Sequence, residues 1–219
     1  MVENFHVKLS TNLTQSLFNN EAKPMSRRVN NEGEFAYGAG QVNPRRALNP
    51  GLVYDMNEMP YIQFLCLEGY KDSSIAQLTG TKSINCSSLI PRLGYDALNY
   101  PTFQLTLRAN SQKDTIGIYR RTVTNVGPAM TVYNATVRAP EGVEITVTPT
   151  SLFFSRTLQK RSFKVVVRAK GNLHNQGEML SGSLVWKSSR YIVRSPIVVY
   201  SPYEDNNVHQ VGVGNQNAS

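Results

Sequence analysis

Residues 130–149 read MTVYNATVRAPEGVEITVTP, and apolar and polar side chains change places at almost every step. Tyr133, Ala135, Val137 and Ala139 alternate with Asn134, Thr136 and Arg138; after a break, Val143, Ile145 and Val147 alternate with Glu144 and Thr146. A period of two over β-branched and aromatic residues specifies a strand with one dry and one wet face. Pro140, Glu141 and Gly142 part the two runs, and so short a loop holding both proline and glycine turns the chain back. The expectation is an antiparallel pair. An isolated hairpin is marginal in water, so this pair demands further strands.

The sequence offers them from residue 98 onward. Strand-like runs cover 100–107, 116–126, 152–155, 162–169 with Phe163, Val165 and Val167 inward, 183–187 around Trp186, and 191–200. Roughly seven or eight short strands over about a hundred residues, separated by turn residues and without a long helix, predict a mainly β chain with an immunoglobulin-like or fibronectin type III sandwich. Length permits this: 219 residues at 40% hydrophobic content can bury a proper core in one domain of moderate size, or in one domain plus a fragment.

The leading part is different. Residues 1–31 are polar and asparagine-rich with no sustained period and read as poorly ordered, as does the polar tail 204–219. In 35–55, FAYGAGQVNPRRALNPGLVYD, three glycines and two Asn-Pro pairs sit among apolar residues. Asn43 is placed to cap a short helix beginning at Pro44, which Asn49, Pro50 and Gly51 then stop. A second helix is predicted after Asn57 or Asp55 as cap, with Pro60 in its first turn and Tyr61, Phe64 and Leu65 as its apolar stripe. A third is predicted over 72–79 with Ile75 and Leu78 inward and Gly80 as its stop. Residues 82–96, with Cys86, read as an irregular connection, and no internal repeat is present.

The net charge of +8 and a pI near 9.6 raise the question of a polyanion partner: nucleic acid, a membrane surface or an acidic polysaccharide. The basic residues, however, come as scattered pairs, Arg27-Arg28, Arg45-Arg46, Arg120-Arg121 and Lys160-Arg161. With no zinc-finger spacing and no aromatic RNA-binding signature, they read as solvated surface, and nucleic acid is not expected as a partner. No apolar run approaches the roughly 20 residues that span a membrane, and the first residues lack the apolar core of a secretory signal. The two cysteines, Cys66 and Cys86, are too few for a disulfide-rich scaffold and lack metal-site spacing. One bridge and two buried thiols both remain open on the residues alone.

Six ordered blocks carry a further signal: YGAGQVNPRRALNPGLVYD at 37–55, YIQFLCLEGY at 61–70, LNYPTF at 98–103, RRTVTNVG at 120–127, APEGVEITVTPTSLFF at 139–154 and GSLVWKSSRYIVRSPIVV at 182–199. Together they resemble the plant subtilisin-like serine proteases over roughly residues 22–202. The resemblance implies that 32–56 is the C-terminal end of a catalytic domain, a short helical remnant. It implies that 57–97 is a helical linker, and that 98–203 is the C-terminal fibronectin type III-like sandwich. It further implies a Cys66–Cys86 disulfide and an extracellular location, in the apoplast or cell wall. The expected partner is a subtilisin-like catalytic domain, in cis or in trans, with a homodimer as a further expectation.

The family's chemistry is another matter. Acyl transfer needs a serine, a histidine to take its proton, an aspartate to orient the histidine and donors for the oxyanion. The family's Asp-Ser/Thr-Gly, His-Gly-Thr and Gly-Thr-Ser-Met contexts do not occur in these 219 residues. The nearest string, Gly80-Thr81-Lys82-Ser83, has lysine in the serine's place. His6, His174 and His209 lie in polar segments with no partner motif. The carboxylates show no calcium-loop spacing, and YGAGQ lacks what a phosphate or dinucleotide loop requires. No catalytic, cofactor or metal-ligating residues are therefore assigned. Trp186 with Tyr191 or Tyr133 reads as core packing before it reads as a ligand platform, because Leu184 and Trp186 share one strand face. Asn-X-Ser/Thr acceptors occur at Asn12, Asn85, Asn134 and Asn217. Asn85, in a loop, and Asn134, on a wet strand face, are the candidate glycosylation sites. The function expected is that of a non-catalytic accessory part of a secreted serine endopeptidase, with stability or self-association as its task. The alternative is a free-standing binding module with a peptide, glycan or protease partner.

Overall fold

The computed structural model describes residues 15–16, 30, 32–43, 48–81, 83–89, 98–107, 113–171 and 177–202. The helix expected to begin at Pro44, the tail, the three histidines and the acceptors Asn12 and Asn217 lie outside the described residues. In chain order the elements are β1 (Gln15–Ser16), α1 (Glu34–Tyr37), β2 (Gln41–Val42), β3 (Leu52–Val53), α2 (Glu58–Leu67), α3 (Asp72–Thr79) and α4 (Cys86–Leu89). They continue with β4 (Phe103–Thr106), β5 (Thr115–Asn125), β6 (Thr131–Arg138), β7 (Val143–Thr148), β8 (Ser151–Phe154), β9 (Lys160–Ala169), β10 (Met179–Lys187) and β11 (Ile192–Tyr200).

The strands after β2 form two sheets, one ordered β4-β11-β10-β6-β8 and the other β3-β5-β9-β7; β1 and β2 make a separate small ladder. Among the described residues only β4 and β11 run parallel; the other ladders are antiparallel. One apolar cluster fills the space between the two sheets, with Phe103, Tyr133, Phe154, Leu184, Trp186 and Ile197 from one side and Tyr119, Val123, Val147, Phe163, Val165 and Val167 from the other. Trp186 meets Phe163 across the gap edge-on at 5.0 Å, and Phe103 meets Tyr119 at 5.4 Å. Edge-to-face rings bring the positive edge of one to the negative face of the other and add to the area they bury. This is the expected fibronectin-like β-sandwich.

The alternation in 130–149 fixes faces as expected, with Tyr133, Val143 and Val147 all buried, but the expected antiparallel pair is not made. β6 pairs with β10 and β8, whereas β7 pairs with β9 in the opposite sheet. Residues 139–142 are a corner that carries the chain across the core. Both arrangements point Tyr133 and Val147 inward. The crossing wins by giving each run a long partner: β7 pairs all six of its residues with β9, while β6 gains ladders on both edges.

Helices α2, α3 and α4 form a small lobe on their own cluster of Ile62, Cys66 and Ile75, with Leu65, Ile84, Cys86 and Leu89 packed against it. Here the expected faces need correction. Tyr61 is 41% and Phe64 37% exposed, and the inward stripe of α2 is Ile62, Leu65 and Cys66. EMPYIQFLCL is apolar on every side, so periodicity does not select one. In α3 Ile75 is 1% exposed and inward, but Leu78 is 74% exposed: the lobe is too thin to cover both. Asn57 occupies the position before α2 in extended backbone without a side-chain capping bond. Gly80 ends α3 in the left-handed conformation, φ 68 and ψ 15, and its N–H donates to Ala76 O.

Candidate functional site

The segment that precedes the helices does not hang free. Gly51 has φ +78, and a Cβ there would stand 2.7 Å from Tyr191 Cγ and 3.0 Å from the Tyr133 hydroxyl, so only glycine fits. Its carbonyl accepts from the N–H groups of Val126, at 2.9 Å, and Gly127, at 3.2 Å. Pinned there, Leu52 and Val53 pair with Asn125 and Thr124 and form the edge strand β3 of the sandwich. Leu52 and Tyr54 are fully buried members of the sandwich core. The Tyr54 hydroxyl lies 3.1 Å from Ser195 Oγ on the far sheet, and burial pushes its pKa up to about 12.

Beyond β3, side chains take over the edge of β5. The Asn99 amide donates to Asp55 O at 2.9 Å and Thr122 O at 2.7 Å and accepts from Thr122 N at 2.9 Å. One side-chain amide thus does for Thr122 what a neighbouring strand would do. The Asp55 carboxylate accepts from the Thr124 hydroxyl at 2.5 Å and meets Lys160 Nζ at 3.4 Å. The ammonium is largely exposed, so that ion pair contributes little. A cleft of about 590 Å³ opens along this edge, with Asp55, Asn57, Pro60, Asn99, Arg120 and Lys160 in its lining. Its lining brings together carboxylate, amide and cationic side chains, and among the described residues no histidine or cysteine lines it.

A second clamp closes over the other sheet. Glu34 in α1 accepts from the Ser181 hydroxyl at 2.5 Å and lies 3.9 Å from the Arg194 guanidinium. Burial lowers the pKa of Arg194 and the Glu34 carboxylate opposes that fall. Phe35 stands edge-on to Tyr200 at 5.3 Å. The pKa of Tyr37 is raised, first by burial and then by the charge of Glu34.

Arg121 departs from the surface reading of the basic pairs. Arg120 faces solvent, but Arg121 is 1% exposed on the inner side of β5. Its guanidinium lies 4.9 Å from the Phe103 ring centre and 5.6 Å from that of Tyr119, and donates to Tyr100 O at 2.6 Å, Arg120 O at 3.1 Å and Thr102 O at 3.3 Å. A delocalised cation tolerates such burial when aromatic faces and carbonyls surround it. The signal was in the sequence: Arg121 is in phase with Tyr119 and Val123, so β5 was bound to turn it inward.

The assigned site residues fall in separate places. Cys66 in α2 and Cys86 at the start of α4 are joined by a disulfide with Cα atoms 5.3 Å apart. Asn85 is exposed beside it, and Asn134 is exposed on the outer face of β6. Near Gly80, the Thr81 hydroxyl shares a hydrogen bond with Thr79 at 2.9 Å; Lys82 lies outside the described residues. Trp186 and Tyr133 are fully buried, which removes both from any surface platform. Among the described residues no three His, Cys, Asp or Glu side chains gather as a metal site, and no helix is long and apolar enough to cross a membrane.

A family model described as "Fibronectin type-III domain" matches residues 97–199. The chain is 58% identical over 204 residues to "Subtilisin-like protease SBT4.14" of Arabidopsis thaliana, covering 93% of this chain and 27% of that protein. It is 41% identical over 212 residues to "Subtilisin-like protease SBT4.15" of the same organism, again covering 93% and 27%. The chain therefore spans about a quarter of the length of the curated relatives it matches. Among solved structures, "Structure of Vibrio cholerae VesB protease" overlaps 47% of this chain and 31% of that chain at TM-score 0.31 and 14% identity, which carries no argument. Along nearly its whole length the chain is similar to plant subtilisin-like proteases, and its strands close into a fibronectin type III-like sandwich.

Proposed function

We propose that this chain is the non-catalytic C-terminal part of a secreted subtilisin-like serine endopeptidase, and that it works as a stabilising accessory domain for the catalytic part. The observation that carries the reading is β3. The block 37–55 resembles the end of a subtilisin-like catalytic domain, and it delivers Leu52, Val53 and Tyr54 into the sandwich, two of them into its core. A chain end anchored in this way couples the two parts mechanically: the catalytic part ends in a strand that opens only if the sandwich edge opens. Proteolysis belongs to the whole parent, and the partner of this chain is the catalytic domain, in cis or supplied in trans, outside the cell. The same block argues against a free-standing peptide- or glycan-binding module, for which function would reside in a site of its own.

The test is mass spectrometry of the native protein, captured from its tissue with an antibody to the 98–202 domain. Peptides from an upstream stretch with a Gly-Thr-Ser-Met serine context, covalently continuous with residues 32–56, are the expected result. An intact mass beginning at Met1, with no triad-bearing protein co-purifying, would sink the reading.

A further inference from the structure

We propose that an N-linked glycan on Asn134 covers an apolar patch on the outer face of the five-stranded sheet; the inference rests on the extracellular reading above. That face has two halves. One is overlain by the chain itself: Glu34 sits on Ser181 and Arg194, Phe35 on Tyr200, and the outward-pointing Met179 and Val198 are buried. The other half is open. There Val132 is 43%, Phe153 44% and Ile192 51% exposed, a grouping of large apolar side chains that asks for a cover.

The ladders place the glycan acceptor among them. Val132 is directly opposite Phe153, and the next outward residue on β6 is Asn134, opposite Ser151 on one side and Lys187 on the other; Lys187 is in turn opposite Ile192. Direct neighbours on such a face are about 5 Å apart and diagonal ones about 7–8 Å. Strand alternation also puts Thr136 outward beside Asn134, so the amide and the hydroxyl of the Asn-Ala-Thr acceptor stand on the same exposed face, and both residues are exposed. The modification joins Asn134 Nδ2 to C1 of the first sugar. The C1–O bond of a polyisoprenoid-diphosphate oligosaccharide breaks, the diphosphate leaves with the bonding pair, and the amide loses a proton to the transferase. The first sugar then reaches Val132 and Phe153 with its C–H face. A second copy of the chain fits this half less well. The polar Asn134 and Lys187 divide the apolar side chains, and so few of them fall short of the roughly 800 Å² per partner that a stable interface buries.

The experiment uses the full chain, exported from a glycosylating eukaryotic host behind a secretion leader, alongside Asn134→Gln, Thr136→Ser and Phe153→Ser. Intact mass is expected to show Asn134 occupied in the wild type and in Thr136→Ser, which keeps the acceptor. Asn134→Gln should melt about 2–4 °C lower and bind more of a hydrophobic dye, whereas trimming the wild-type glycan to its first sugar should change neither. In a Phe153→Ser background the difference made by the glycan should fall by half or more. Occupancy with no change in melting or dye binding on losing the glycan would overturn this inference and leave the accessory-domain reading standing. An unoccupied Asn134 on exported protein, or concentration-dependent dimers of the unglycosylated chain through this face, would overturn it equally. An unglycosylated protein from native tissue would overturn this inference alone, because the accessory-domain reading is decided by the intact mass and the upstream peptides.

Discussion

The sandwich and the helical lobe solve the same problem with very different means. Among the described residues the sandwich draws 21 buried side chains into one cluster, whereas the lobe has three. A core of the first kind offsets the entropy of ordering its chain; one of the second kind does not, and small units of this sort need a covalent staple. The Cys66–Cys86 bridge supplies it by linking residues 20 apart in sequence across α2 and α4. What the contrast teaches is where each region stores its stability: the sandwich in packing, the lobe in a cross-link that restricts its unfolded state.

Four measurements test that division. Trp186→Ala should cost the sandwich about 3–5 kcal/mol, because it empties the place opposite Phe163. Urea denaturation followed by circular dichroism reads it, since the only tryptophan is lost with the mutation. A midpoint unchanged within error would mean that the two sheets are not held by this pair. Cys66→Ser should cost about 3 kcal/mol, but locally. Hydrogen exchange should lose protection over 58–89 while the strands keep theirs, and simultaneous loss in both regions would show a single cooperative unit.

Alkali should act the other way round, on the sandwich alone. Burial holds Tyr54 and Tyr133 at about 12, above the ordinary 10. A raised pKa in the folded state contributes stability that is whole below pH 10 and lost as pH rises from 10 toward 12, at up to about 1.4 kcal/mol per pH unit for each tyrosine. A pH series of denaturation curves should show this fall, and Tyr54→Phe should flatten it. The smallest effect belongs to Leu78→Ala, within about 0.5 kcal/mol, against about 2–5 kcal/mol for Ile75→Ala. Equal costs at the two positions would mean that Leu78 is covered.

Much of this contrast was legible beforehand, and the failures share a cause. The alternation of Tyr133, Val147, Phe163 and Trp186 told which side of each strand is dry, and Gly80 told where α3 stops. The same rule applied to Arg121, in phase with Tyr119 and Val123, would have turned it inward, but the pair with Arg120 was read as surface and the structure corrects that. In α2, by contrast, tyrosine, isoleucine, phenylalanine, leucine and cysteine crowd ten residues, and which of them face inward was decided by the disulfide and by α4. Leu78 has helical spacing from Ile75, but spacing states only that two residues share a face, not that a partner is present to cover it. β3 escaped notice because two residues are too few to show a period.

What the sequence by itself determined is the direction of side chains along each strand and the places where the chain turns. These are local properties, set by backbone geometry and residue type. Only the tertiary structure decided which strand lies beside which: that β6 and β7 part to opposite sheets, that Leu52 and Val53 become an edge of the sandwich, and that the Asn99 amide completes β5. The reason is physical. Backbone N–H and C=O groups are alike at nearly every residue, so they select no partner on their own account, and the choice falls to whatever arrangement closes one dry core with all those groups paired.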